Sequence, residues 1–177
     1  RLSFYIGEFD WARVQLDVLK AATSKLIANN AMELSLLITD NIEEDSLTTP
    51  LQMFARADLL EFRNRDNEAL LVLDSVITDF PLHSIMDNAL FKKAEINVKN
   101  GKFDTAAVYY SRIIEKYPND LLADDAMFNL AGIYENKLHD KSKAIQLYEK
   151  ILTQYPGSLY VVEARKKFRT LRNDQVN

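Results

Sequence analysis

The chain has 177 residues, of which 47% are apolar and 27% charged, and it contains four Gly, two His and no Cys. The apolar fraction is too high for a disordered chain, and the lack of Cys excludes disulfides, thiolate metal sites and Cys nucleophiles. The net charge of −4 is uneven, because residues 1–80 carry seven basic and fourteen acidic side chains while residues 81–177 carry fifteen and twelve. Neither part has the strongly basic surface that nucleic acid requires. The composition predicts a helical, non-catalytic chain with no cofactor and no metal.

Residues 1–41 contain displaced copies of segments that recur further along the chain. The segment 7–12 (GEFDWA) parallels 101–106 (GKFDTA), so we expect the chain to open at the end of a first helix. The segment 28–32 parallels 123–127 in the same way. Helices are therefore predicted over 10–23 and 26–41, as partial N-terminal repeats. The incomplete first repeat predicts more repeats upstream in a parent protein.

Residues 42–49 interrupt the repeated pattern. They read IEEDSLTT, and Pro50 then opens the next helix in its first turn, where Pro is tolerated. We therefore predict an irregular acidic loop. Glu43, Glu44 and Asp45 could contact a cation or a basic partner, but they lack the alternating Asp/Asn spacing and the Gly of a calcium loop. A solvated loop is the favoured interpretation.

Residues 50–157 contain three copies of one longer pattern. An aromatic–Pro pair recurs at intervals of 37 and 38 residues, at Phe80-Pro81, Tyr117-Pro118 and Tyr155-Pro156. Twelve residues before each Pro lies an Ala, and a second Ala lies 12 or 13 residues earlier still; these are Ala69, Ala106 and Ala144, preceded by Ala57, Ala94 and Ala131. Large apolar residues follow each Ala at offsets typical of one helix face. Each copy is predicted to be a helix, a short turn, and a second helix that ends at the aromatic–Pro pair.

The predicted helices of this region cover 50–63, 66–80, 84–99, 104–117, 121–137 and 141–155, and a capping helix over 157–172 belongs to a C-terminal segment 158–177. Asn67, Asp104 and Ser142 are predicted to be N-caps, since their side chains can accept bonds from the first turn of a helix. Ser84 is predicted to form a capping box for the helix over 84–99. Gly101 is predicted to end a helix, and Gly132 to lie where two helices cross closely.

The Ala–Ala–aromatic–Pro spacing resembles the tetratricopeptide repeat family. The positions that carry the resemblance are Ala94, Ala106, Tyr110 and Pro118, with equivalents around Ala57 and Ala131. The period is 37–38 rather than 34, and the Trp typical of the first helix is replaced by Met53, Leu90 or Met127. The resemblance implies an all-α, right-handed superhelical solenoid. It also implies a non-enzymatic scaffold that binds a peptide or a partner protein in its concave groove.

The amino-acid sequence of residues 117–135 and 155–168 further resembles tetratricopeptide proteins of the bacterial cell envelope, such as the outer-membrane assembly lipoprotein and the periplasmic Tol–Pal-associated coordinator. This second resemblance implies a periplasmic or envelope location, although composition alone leaves the cytoplasm open. It implies membrane contact that is indirect or made through an upstream segment. The oligomeric state is left open.

The candidate groove residues lie on the predicted first helices between residues 50 and 136. Phe54, Phe91 and Phe128 occupy the family's groove-facing position, where they would suit a hydrophobic or extended partner. The alternative, which we favour, is that they pack between neighbouring helices. The other candidates on the same face are Lys92, Glu95, Lys99, Asn129 and Glu135. Their mixed charge does not form a Lys/Arg clamp for a C-terminal carboxylate.

The remaining candidates receive structural interpretations. The basic run from Arg165 to Arg172 could contact anionic lipid or an acidic partner, but a solvated cap is favoured. His83 and His139 lie in predicted turns without a nucleophile or a second His nearby, so catalysis is not expected. Two alternatives to the scaffold function stay open: a spacer or self-assembly segment of a longer protein, and an accessory domain of an upstream enzyme.

Overall fold

The computed structural model describes residues 1–21, 25–42 and 48–172, and within these ranges the regular structure is helical throughout. The helices are α1 (Leu2–Tyr5), α2 (Phe9–Lys20), α3 (Lys25–Asn41), α4 (Thr49–Phe62), α5 (Asp66–Asp79), α6 (Met86–Lys99), α7 (Phe103–Lys116), α8 (Ala123–Asn136), α9 (Lys141–Gln154) and α10 (Val161–Arg172). The all-α prediction is confirmed. Glu43, Glu44 and Asp45 lie outside the described residues. None of the described helices is long and apolar enough to cross a membrane.

The chain forms two compact units, which cover residues 1–89 and 90–177. In the first unit, α2 packs on α3, α4 packs on α5, and the short α1 lies against both α2 and α4. The hydroxyl of Tyr5 donates a 3.1 Å hydrogen bond to Asp58, which fixes α1 on α4. In the second unit, α7 packs on α8, α8 packs on α9, and α9 packs on α10.

The turn inside each hairpin is closed by backbone bonds around one left-handed residue. Gly7, Asn64 and Gly101 have φ of +82°, +57° and +72°. In each case the next amide, that of Glu8, Arg65 or Lys102, bonds to the carbonyl five residues earlier. These are the bonds of a Schellman motif, so the prediction that Gly101 ends a helix is confirmed. The α8–α9 turn is one residue longer, and His139, with φ of +54°, takes the left-handed position there.

This turn explains why all three predicted N-caps are wrong. Each second helix begins two residues after the left-handed residue, so Asn67, Asp104 and Ser142 lie inside the first turn. The N-cap positions belong to Arg65, Lys102 and Asp140. Arg and Lys side chains have no acceptor atom. Only the Asp140 carboxylate among these three accepts a bond, from the Lys143 amide at 3.0 Å.

The segments after the aromatic–Pro pairs form two successive turns before the next helix starts. The amides of His83, Asp120 and Ser158 bond back to the aromatic residue's carbonyl, and those of Met86, Ala123 and Val161 bond to the carbonyls of these three residues. The helices therefore begin at Met86, Ala123 and Val161, later than the predicted 84, 121 and 157.

The predicted capping box at Ser84 is wrong because Ser84 lies ahead of α6 and bonds elsewhere. Its hydroxyl donates a 2.9 Å bond to Asn41 Oδ1 at the end of α3. Asn41 is buried, and its amide donates to the Leu37 carbonyl at 2.8 Å and to Asn88 Oδ1 at 3.2 Å. This buried polar cluster joins the end of α3 to the start of α6 within the first unit.

The core of the second unit is built around small residues. Ala131, Ala144 and Ala164 cluster with Met127, Tyr148 and Ile151, and all six are buried. A larger side chain at these Ala positions would overpack the cluster. The predicted close helix crossing at Gly132 is wrong, because a Cβ placed there meets no heavy atom within 4 Å.

Candidate functional site

The predicted groove positions fall on α4, α6 and α8. Phe54, on α4 in the first unit, is only 5% exposed and belongs to that unit's core. The remaining candidates, Phe91, Lys92, Glu95, Lys99, Phe128, Asn129 and Glu135, all lie in the second unit. The site is therefore described within the second unit alone.

Phe91 and Phe128 are half-buried and pack on aromatic residues of the following helices. The ring of Phe91 meets Tyr110 of α7 edge-on, with 5.3 Å between centroids. Phe128 meets Tyr148 of α9 edge-on at 5.9 Å and stacks on Tyr160, just ahead of α10, at 4.3 Å. Such pairs contribute stability beyond the area they bury. Both Phe residues thus have a packing role while part of each side chain remains accessible.

Tyrosine hydroxyls link these aromatic residues to carboxylates. Tyr160 donates a short hydrogen bond to Asp125 on α8. Tyr148 donates a 2.8 Å hydrogen bond to Glu135, whose other oxygen accepts a 3.0 Å bond from Lys167 on α10. Burial, followed by the nearby charges of Glu95 and Asp125, raises the pKa of Tyr110 above its ordinary value. The Tyr110 hydroxyl therefore lies near carboxylates of both α6 and α8.

We call this set the aromatic strip: Phe91, Tyr110, Phe128 and Tyr160 with the flanking charged residues Lys92, Glu95, Lys99, Asp125, Glu135 and Lys167. Lys92 Nζ lies 3.3 Å from the Glu95 carboxylate, and Lys99 is exposed at the end of α6. Phe91, Phe128 and Tyr160 keep part of their surface accessible among charges of both signs, whereas Tyr110 is buried. The groove predicted from the sequence omitted four members of the strip, Tyr110, Asp125, Tyr160 and Lys167, although the aromatic repeated at positions 110 and 148 was a usable signal for Tyr110.

The histidines occupy turns, as predicted. His83 is buried between α5 and α6, and its Nδ1 accepts a 3.1 Å bond from the Ile85 amide. His139 is exposed in the α8–α9 turn. The described part of the chain brings no three His, Asp or Glu side chains together as a metal site.

A cleft of about 810 Å³, separate from the aromatic strip, lies among α7, α8 and α9. The Lys143 ammonium lies over the Tyr134 ring at 4.8 Å and 3.2 Å from the Asp140 carboxylate. The other charged lining residues are of both signs: Asp104, Arg112, Glu115 and Lys116. No pattern in the sequence indicated this cleft.

The helical hairpins of the second unit repeat at intervals of 37 or 38 residues and have small residues where their helices contact each other. Residues 91–158 match the tetratricopeptide repeat family. The matched segment contains most of the aromatic strip and supports the assignment of these hairpins as tetratricopeptide repeats. Repeats of this family generally mediate protein–protein interaction. A search of curated proteins found no match to the chain.

Proposed function

We propose that the aromatic strip of the second unit binds a segment of a partner protein, and that the chain is a non-enzymatic scaffold. The observation that carries this proposal is the half-buried state of Phe91 and Phe128, which leaves part of each residue accessible beside charged groups. Exposed aromatic surface set in a polar rim is typical of interaction sites.

The balance of charges favours a peptide that combines apolar anchors with residues of both signs. Lys92, Lys99 and Lys167 are offset by Glu95, Asp125 and Glu135, and several of these are already paired within the strip. A strongly basic partner would face the lysines of the strip, and a strongly acidic partner would face its carboxylates, so that like charges would repel each other. Apolar side chains that cover the rings of Phe91 and Phe128 would supply most of the affinity.

The proposal is tested with a phage-displayed library of random peptides selected on the purified chain. The Phe rings also stabilise the fold, so the variants change residues that carry less packing: Lys92→Glu on the strip, and Asn129→Arg at the position that follows Phe128 in the chain. The matched control is Lys150→Glu, an exposed position on α9 outside the strip. We expect the selected peptides to lose at least about tenfold in affinity on the strip variants and to keep it on the control.

Phe91→Ala and Phe128→Ala then separate binding from packing. Loss of peptide binding by variants that remain folded at the temperature of the binding assay supports the strip as the binding surface. Destabilisation by about 3–5 kcal/mol, together with full peptide binding by Lys92→Glu and Asn129→Arg, assigns both rings to the core and overturns the proposal.

The proposed setting is the bacterial cell envelope, which rests on the resemblance of residues 117–135 and 155–168 to repeats of envelope proteins. Fractionation of cells that express the complete gene tests it. Recovery of the protein in the periplasmic or membrane fraction supports this setting, and recovery with cytoplasmic markers contradicts it.

A further inference from the structure

Helix α7 carries an exposed row of three residues along its outer face. Asp104, Val108 and Arg112 follow one another at intervals of four residues, so they lie on one side of the helix over about 12 Å. All three are exposed, and Val108 keeps 64% of its surface accessible. The row lines the α7 side of the cleft among α7, α8 and α9, so open space lies in front of it.

The exposure of this row does not depend on an end of the chain. Helix α6 packs on α7 through the rings of Phe91 and Tyr110, and α8 packs on α7 as well. The helices before and after α7 are therefore both in place, and the row still faces outward.

The charges of this face are unbalanced within one copy of the chain. Asp104 gives the N-terminal end of the row a negative charge. At the C-terminal end, Arg112 and Lys116 outnumber Glu115, which leaves one positive charge in excess. Within the described part of the chain, none of these four side chains forms an ion pair or a side-chain hydrogen bond. Each end of the face can therefore accept a charge of the opposite sign.

Among the second helices of the four hairpins, only α7 has an acidic, an apolar and a basic residue in this row. The aligned residues are Asp10, Val14 and Val18 in α2, Asn67, Leu71 and Ser75 in α5, and Ser142, Gln146 and Lys150 in α9. A row with this order of charges is complementary to the same row running in the opposite direction. A partner of one charge sign would instead face a like charge at one end.

We propose that α7 binds α7 of a second copy of this chain, with the two helices antiparallel about a two-fold axis beside Val108. Such an interface is isologous, so every contact in it occurs twice. Val108 meets Val108 of the second copy, and Asp104 of each copy faces Arg112 of the other. Each end then combines Arg112, Lys116 and Glu115 of one copy with Asp104 of the other, and its net charge is zero. One helix face buries less than the roughly 1,200 Å² of a stable complex, so the dimer is weak and reversible.

Sedimentation equilibrium of the whole chain, up to about 500 µM, tests the proposal with reversed charges. We expect a concentration-dependent dimer that Asp104→Arg and Arg112→Asp each weaken at least about tenfold, because like charges then face each other at both ends. A mixture of these two variants should associate about as strongly as the parent does, since each supplies the charge that the other lacks. The matched control is Lys150→Asp, at the aligned exposed position on α9, which should dimerise as the parent does.

An introduced thiol tests where the two-fold axis lies. The chain has no Cys, so Val108→Cys provides a single thiol, which lies against its counterpart in the proposed dimer. Mild oxidation should link this variant at least about tenfold faster than Gln146→Cys, at the aligned exposed position on α9. The proposal is overturned if the parent stays monomeric, if Arg112→Asp leaves the dimer unchanged, or if the two charge-reversed variants do not associate. Equal rates of linking for the two Cys variants also overturn it.

Discussion

The hydroxyl of Tyr148 on α9 donates a 2.8 Å hydrogen bond to Glu135 on α8. Tyr148 is buried against Phe128, and the same carboxylate accepts a bond from Lys167 on α10. Glu135 therefore connects three consecutive helices of the second unit at the edge of the aromatic strip. The pKa of Tyr148 is raised above its ordinary value, chiefly by burial and then by this bond to a carboxylate.

The raised pKa of Tyr148 predicts loss of stability in alkali. Above about pH 10 a tyrosine in the unfolded chain loses its proton, while Tyr148 in the folded chain keeps it, so the unfolded state is favoured as the pH rises. The contribution of this one group is at most about 1.4 kcal/mol per pH unit. Urea unfolding at about pH 8 and about pH 11 measures it.

Tyr148→Phe should lower the free energy of unfolding at about pH 8, where its hydrogen bond is lost, and should bring that energy closer to the parent's at about pH 11. Tyr110→Phe should also reduce the loss of unfolding free energy between about pH 8 and about pH 11, because the pKa of Tyr110 is raised by burial and by Glu95 and Asp125. A double variant with the full alkaline slope of the parent would contradict the assignment.

Gly132→Ala should stabilise the second unit. Gly132 lies within α8, and a Cβ there would contact nothing within 4 Å, so the change removes conformational freedom from the unfolded chain without a steric cost. We expect a gain of about 0.5–1 kcal/mol in the free energy of unfolding, measured by urea titration.

Gly101→Ala is the matched control for this change. Its added Cβ would also meet nothing, but its φ of +72° disfavours every residue with a Cβ. Gly101→Ala should therefore destabilise. An equal gain in the free energy of unfolding from both substitutions would contradict the left-handed conformation of Gly101 after α6.

Asp140→Ala should lower the midpoint of thermal unfolding by a few degrees, because it removes the carboxylate that accepts the Lys143 amide bond at the start of α9. Bonding to that amide lowers the pKa of Asp140, so the stabilisation should be present above its ordinary pKa and lost as the pH falls through the lowered value. Differential scanning calorimetry at neutral and acidic pH measures both effects.

Two further substitutions delimit the cap. Asp140→Asn should retain most of the stability at neutral pH, since Asn is an equally good N-cap. Ser142→Ala should leave the unfolding midpoint unchanged, because Ser142 lies inside the first turn of α9. A larger loss from Ser142→Ala than from Asp140→Ala would restore Ser142 as the cap.

The helical fold and its register were predictable from the repeated Ala, aromatic and Pro residues, because buried small residues and helix stops recur at fixed offsets along the helices. The N-caps were not, since Asn67, Asp104 and Ser142 are good cap residues by type and only the backbone of the preceding turn decides which position caps the helix. The role of Ser84 was hidden for a different reason. Its partner, Asn41, is 43 residues away, and no local pattern reports such a pair.

The aromatic strip was predictable only in part. The 37-residue spacing identified Phe91 and Phe128, yet Tyr160 comes after the last aromatic–Pro pair and has no repeated counterpart that would single it out. The different burial of Phe54 was equally hidden, because the three Phe share one sequence position and differ only in what packs around them.

The longer α8–α9 turn has a consequence for how such chains can change length. It contains one more residue than the α6–α7 turn, yet Ala144 and Tyr148 beyond it are buried as fully as Ala106 and Tyr110. The inserted residue is absorbed between Lys137 and Asp140, where His139 takes the left-handed conformation and the amide of Asp140 reaches back to Tyr134. Insertions in these turns therefore leave the helix contacts in phase, whereas an insertion within a helix would rotate every following side chain by about 100°.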